Sequence, residues 1–299
     1  MPQVARLRIG ELSRRVGESP ELLRAWEKRY GIVSPERTAG GLRLYSEADA
    51  RRILAMRRHI DAGLSAAEAA RLARTVAERA ESTGELDDTA RALAHHLDLL
   101  DEPAAQAELD RLFLEHGLRA ALGEAILPLL RRLGRRWAAG EVSVGQEHFA
   151  SNVIGGRLRS MSRGWGDGVG PQAILACPPG ELHDLGLVAF GLALRERGWR
   201  ITLLGADTPI AELATAAEEV TPAIVVLAAV APERFLAPRP ELAALAARIR
   251  VGLAGAGASD ELAGAVGAEL LGGNLMDVAA TLTPQPAAPF SHPPAPPAG

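Results

Sequence analysis

From Pro171 onward, short apolar runs alternate with helical patterns, and this alternation restricts the fold more than any other feature. The runs cover residues 173–177, 201–204, 223–229, 251–254 and 268–271. Helical patterns begin between them near Leu182, Pro209, Pro240 and Ser259, with a last one from Leu275. Strands that are apolar along their length are covered on both faces, and intervening helices make successive strands parallel. The expected domain is a doubly wound α/β fold of the flavodoxin or Rossmann type. Ligands of such sheets sit beyond the carboxyl ends of the strands.

One stretch occupies such an end. "PPGELHDLG", residues 178–186, follows the first strand and opens the first helix. Glu181 and Asp184 flank His183 there. A carboxylate that holds one imidazole nitrogen raises the basicity of the other as a metal ligand. Gly186 lets something large approach the backbone. Read alone, the stretch fits either a ligand site or a solvated loop histidine; its strand-to-helix position favours the site.

Residues 88–163 are helix-rich. Apolar stripes at Leu93/Leu97/Leu99/Leu100, at Leu109/Leu112/Phe113/Leu114, at Ile126/Leu129/Leu130/Leu133 and at Val144/Phe149/Ile154/Leu158 predict a four-helix bundle. Within it, Trp137 precedes Glu147 and His148 by nine intervening residues. By themselves these read as a half-buried Trp, a surface Glu and a core His; they could also face a common cavity.

The N-terminal part carries a different pattern. Ile9, Leu12 and Val16 mark a short helix ended by Gly17. Ser19 fits an N-cap, Pro20 the first helical position, and Gly31 the end of a second helix through Arg24 and Arg29. Gly40–Gly41 fits a hairpin tip between Arg37 and Arg43/Tyr45. Ser46 with Asp49 and Ser65 with Glu68 are capping-box-like helix starts. Two short helices and a wing make a winged helix-turn-helix, whose Arg24, Lys28 and Arg29 would meet phosphates and base edges. Trp26 is expected in the core, and Tyr30 fits either core or DNA face. The polar, Gly-containing segment 75–88 is expected to break the helical pattern.

Charge agrees with this division. Residues 1–80 hold 16 Lys+Arg against 10 Asp+Glu, net +6, and the rest 17 against 27, net −10, of the chain's 299 residues. A basic head on an acidic body suits a polyanion met by the head alone. The single cysteine, Cys177, excludes an internal disulfide and a Cys-based zinc site, and reads as a buried filler. No membrane span or signal peptide is evident, so the expected location is cytoplasmic. The expected domains are 1–80, 86–165 and 170–283, followed by a Pro/Ala-rich tail at 284–299.

The stretch from Leu7 through "RAWEKRYG" and "RTAGGLRLY" resembles the DNA-binding domain of the MerR family of transcription regulators. That resemblance implies DNA contacts by Arg24, Arg29, Tyr30, Arg37, Arg43 and Tyr45. E-x-H-x-x-G at 181–186 resembles the D-x-H-x-x-G signature of cobalamin-binding domains, and W-x9-E-H resembles the cap of adenosylcobalamin photoreceptors. The whole order is similar to the CarH/LitR class of adenosylcobalamin-dependent photoreceptor repressors.

The resemblance implies adenosylcobalamin as cofactor, with His183 as lower cobalt ligand and Glu181 orienting it. It implies that Trp137, Glu147 and His148 surround the adenosyl group, and that Asp184, Gly186, Ala228 and Gly255 line the site. It further implies a tetramer on operator DNA in the dark, smaller species in light, no enzymatic activity and no membrane. Three positions depart from the family pattern. Ala228 stands where a Ser-x-Leu serine is expected, Gly255–Ala256–Gly257 replaces Gly-Gly, and Ala138 replaces a His after the Trp. An alternative is a MerR-type regulator whose domain binds another corrinoid, a tetrapyrrole or a protein partner without light-dependent switching.

Overall fold

The computed structural model describes residues 7–38 and 40–283, without the side chains of 76–82; the tail 284–299 lies outside the described residues. The chain forms two compact units, residues 1–87 and 88–299.

In the first unit, α1 (Ile9–Val16) and α2 (Pro20–Tyr30) end at Gly17 and Gly31, both left-handed with φ of 74° and 58°. Ser19 caps α2, its hydroxyl accepting from the Leu22 amide at 3.2 Å, with Pro20 in the first turn. Strands β1 (Glu36–Arg37) and β2 (Arg43–Leu44) pair antiparallel as the wing. The loop is closed by the Thr38 hydroxyl, which accepts from the Leu42 amide. Helix α3 (Glu47–Asp61) begins with the reciprocal Ser46/Asp49 capping box. Leu12, Leu23, Trp26, Ile32, Tyr45, Ile53 and Met56 form the core that fixes the helices and wing together.

Helix α4 (Ala66–Asp98) starts at the Ser65/Glu68 pair and continues through Gly84. The expected break at 75–88 does not occur. A mid-helix Gly costs only about 1 kcal/mol relative to Ala. The neighbouring Ala, Glu and Arg are good helix formers, and Leu86, Ala90 and Leu93 bury one face.

The second unit continues with α5 (Glu102–Ala120), a π-helical turn (Ala121–Ile126), α6 (Leu127–Ala138) and α7 (Val144–Ser160). Leu93, Leu97, Leu109, Leu112, Leu129, Leu133, Ile154 and Leu158 are buried as the stripes predict. Leu99 and Leu100 are exposed instead. The helix ends at Asp98, and Leu100 takes a φ of 58° so that Asp101 can cap α5. Leu114 is also outside the core, at 84% exposure.

The sheet follows: β3 (Gln172–Ala176), α8 (Leu185–Glu196), β4 (Arg200–Gly205), α9 (Ile210–Val220), β5 (Ile224–Ala228), α10 (Glu233–Leu236), α11 (Arg239–Ala246), β6 (Val251–Ala254), α12 (Asp260–Val266), β7 (Glu269–Leu270) and α13 (Leu275–Thr281). All five strands are parallel, in the order β4-β3-β5-β6-β7. This confirms the doubly wound fold, and each expected strand is present within a residue or so. The order reverses between β3 and β5, so the crevice at their carboxyl ends is the switch point. Arg159 of α7 and Arg119 of α5 pair with Asp184 and Asp277, joining the bundle to the sheet domain.

Candidate functional site

The loop after β3 carries the proposed ligand. Cys177, buried, begins it, and its amide donates to the carbonyl of Gly205 at the end of β4. The Gly180 amide donates to Asp207 Oδ1 at 2.7 Å, while the Asp207 amide donates back to the Glu181 carbonyl at 2.9 Å. Asp207, unmarked in the sequence, thus pins the loop from β4.

Glu181 is turned inward, its side chain only 3% exposed. Its Oε1 accepts from the His183 amide at 2.9 Å and lies 2.6 Å from His183 Nδ1. Its Oε2 accepts from the Val230 amide, just beyond β5, at 2.8 Å. Burial pushes the Glu181 carboxyl up, but the bonds from Val230 and His183 outweigh it and hold the carboxyl below the ordinary carboxylate value. The carboxylate therefore spans the switch point and holds one face of the imidazole. The ring itself is 71% exposed, with Nε2 left free.

Those residues fit a metal corrin in need of a lower nitrogen ligand. A carboxylate-tethered imidazole with a free, solvent-facing Nε2 is the required donor. Exposed Leu182, Leu204 and Val230 at the ends of β3, β4 and β5 add apolar surface around it. Space beside Gly186 is open, with no atom within 4 Å of where a Cβ would stand. Gly255 differs: with φ of 89°, a Cβ there would collide with the Ala229 carbonyl, so glycine is needed to draw the β5 and β6 loops together. Ala228 is half-buried at the end of β5. The Val230 main-chain N–H, two residues beyond it, donates to the Glu181 carboxylate.

Asp184 is engaged elsewhere, both of its oxygens within 2.8 Å of Arg159 Nη2. Helix α7 meets α8 at Gly155, where a Cβ would come within 2.9 Å of Leu185. Glu147 and His148 lie two turns earlier on α7, about 12 Å along the axis. His148 is exposed at 69%, not in the core, and its Nδ1 lies 2.6 Å from Glu147 Oε2. Glu147 Oε1 also accepts from the Ser151 hydroxyl at 2.7 Å. Trp137, half exposed at 50%, ends α6 beside Arg136, which pairs with Asp98 at the end of α4. The Gln146 side-chain N–H of α7 donates to the main-chain carbonyl of the same Asp98 at 2.9 Å, so Trp137 and the Glu–His pair share one anchored corner of the bundle.

In the first unit, Arg24, Arg29 and Arg37 are exposed. The Arg29 guanidinium lies 5.5 Å from the Tyr30 ring, which is half-buried. Arg43 is half-buried and Tyr45 buried. Arg43 Nε and the Tyr45 hydroxyl each donate to Glu27 at 3.0 Å. Arg8, Arg14, Arg24 and Arg43, with the single carboxylate of Glu11, line a concavity of about 490 Å³. Basic side chains around such a hollow suit phosphate.

Comparison with known proteins finds a match for each unit. Residues 7–75 match the MerR HTH family regulatory protein model, and 89–160 and 171–267 each match a B12 binding domain model. The chain is 34% identical over 262 residues to the HTH-type transcriptional repressor CarA of Myxococcus xanthus, covering 86% of this chain and 88% of that one. It is 32% identical over 235 residues to the repressor CarH of the same organism, covering 75% and 79%. The second unit shares its fold with the monomethylamine corrinoid protein of Methanosarcina barkeri, at a TM-score of 0.53 and 17% identity over 63% of this chain and 93% of that one. Among the described residues, no helix is long and apolar enough to cross a membrane. The chain belongs to the MerR HTH family of regulatory proteins, in the group that joins this head to B12 binding domains and includes the CarA and CarH repressors.

Proposed function

We propose that this protein is a light-responsive, adenosylcobalamin-binding transcription repressor. The observation that carries the reading is the Glu181–His183 pair at the switch point, with Nε2 free, in a chain that also bears a MerR head. His183 would supply a nitrogen ligand to the cobalt and Glu181 would fix its ring. Trp137, Glu147 and His148 face the adenosyl side. When bound, the cofactor supplies a cobalt–carbon bond that light breaks. In the dark the sensor domains assemble as a tetramer whose heads grip operator DNA together. Losing simultaneous engagement lowers avidity by ~100-fold or more with each head unchanged. The controlled genes serve carotenoid synthesis or photoprotection. The protein acts in the cytoplasm as a regulator, not an enzyme.

Size-exclusion chromatography with adenosylcobalamin, in the dark and after green light, tests this with the absorption spectrum read across the peak. Co-eluting cobalamin in a large dark species that shrinks on illumination is expected. Protein of one size in both conditions and free of cobalamin overturns the reading. It would favour the alternative suggested by Ala228 and Ala138, a regulator of the same family with another ligand.

A further inference from the structure

The position of Glu27 runs against simple electrostatics. Glu27 lies in α2, among Arg24, Lys28 and Arg29, on the unit that must meet a polyanion. A carboxylate there repels phosphate and, by Coulomb's law alone, weakens binding. Yet its side chain is only 18% exposed and is committed on both oxygens. Oε1 accepts from Arg43 Nε of the wing strand β2 and Oε2 from the hydroxyl of Tyr45, just after it, both at 3.0 Å.

The arrangement has a directional consequence. Arg43 uses Nε toward Glu27, so both Nη groups at the tip of the fork are left for a ligand. Among the described residues they have no hydrogen-bond partner. The same holds for the guanidinium groups of Arg8, Arg14 and Arg24 around the shared hollow. Arg24 projects from α2 and Arg43 from β2, so Glu27 sets the register between the helix that reads and the wing that grips. A planar guanidinium fixed along one edge loses less freedom when it binds phosphate with the other. Tyr45 supports the same geometry: burial, then its bond to Glu27, pushes the phenol up to about 12.

We infer that Glu27 is a positioning residue for DNA binding, which clamps Arg43 and Tyr45 of the wing against α2 and aims the Arg43 fork at phosphate. This rests on the head binding DNA through Arg43, part of the reading above.

The test measures binding of the full chain to a fluorescein-labelled 30-base-pair duplex of mixed sequence across a salt series. Glu27→Ala should weaken binding about tenfold, the scale of a charge-assisted hydrogen bond. The slope of log affinity on log salt should fall by about one phosphate contact. Glu27→Gln, which keeps an acceptor without the charge, should recover part of the loss. Glu27→Ala in an Arg43→Ala background should cost clearly less than it does alone, only the Tyr45 contact remaining to be lost. In Glu27→Gln the Tyr45 absorbance titration should move below its value in the parent protein. Tighter binding by both Glu27 variants would mean that the carboxylate acts only by repulsion, and overturns the inference. So would additive losses in the double variant. An Arg43→Ala variant that binds like the parent removes the wing contact itself and overturns both levels; circular dichroism of each variant identifies a head that has not folded.

Discussion

Two hydrogen-bonded imidazole–carboxylate pairs stand among the described residues of the second unit, alike in their closest contact and unlike in everything around it. Glu181–His183 and Glu147–His148 both place a carboxylate oxygen 2.6 Å from Nδ1 and leave Nε2 free. The first carboxylate is buried and receives main-chain donors from its own loop and from beyond β5. The second is partly exposed, adjacent in sequence to its histidine, and supported by Ser151 one turn along the same helix. One pair is fixed by three-dimensional structure, the other by a single helix. A rigid second partner distinguishes a preorganised ligand from a side chain that can reorient.

The largest expected effect breaks the contrast at its stronger member. His183→Ala should abolish retention of cobalamin through gel filtration, and Glu181→Ala should lower affinity by about 10–100-fold. His148→Ala should leave dark-state retention within about threefold of the parent, since an exposed, locally held side chain contributes little rigidity. Equal losses for His183→Ala and His148→Ala, read by the absorption spectrum, would erase the distinction.

Stability without cofactor sharpens it next. Glu181→Ala removes the acceptor of the part-buried Val230 and His183 N–H groups and should cost about 1 kcal/mol in urea unfolding. Glu147→Ala, at a partly exposed site, should stay within about 0.5 kcal/mol. The pH dependence follows in sign. Glu181 is held below its ordinary value of 4.5, so its contribution is complete above that value and is lost as pH falls through the folded one. Glu181→Gln should therefore flatten the acid limb of the stability curve, whereas Glu147→Gln is expected to leave that limb in place.

The smallest effect reads the rigidity of the loop. Cys177 is buried against it, Sγ 3.8 Å from the His183 carbonyl, and burial pushes its thiol up to about 12. The native protein should resist a thiol reagent at pH 8, and Glu181→Ala should speed labelling severalfold. Fast labelling of the parent would show that the loop opens readily and that Glu181 does not lock it.

Much of the sheet was legible because continuous apolar runs between helices have one common solution. The His183 loop was legible for the same reason, since a strand end fixes where it stands. Helix α4 was misread because a lone glycine is a weak breaker, and its neighbours' propensity outweighs it. Leu99, Leu100 and Leu114 were misread because hydrophobicity does not reveal where a helix stops. His148 looked like a core residue by type, and its exposure comes from the direction of α7 alone. Glu27 and Asp207 gave no local signal: their partners lie 16 and 27 residues away, and only the fold brings them together. The Val230 amide could not be seen at all, because a main-chain donor has no letter in the sequence.

That last contact bears on how such a site can change over generations. A side-chain hydroxyl that steadies a carboxylate can disappear with one codon. An amide belonging to the polypeptide itself survives every replacement at its position but proline. The metal-facing loop is thereby insulated against drift at the tip of β5, and neighbouring side chains there are free to be reshaped for other ligands without loosening the histidine.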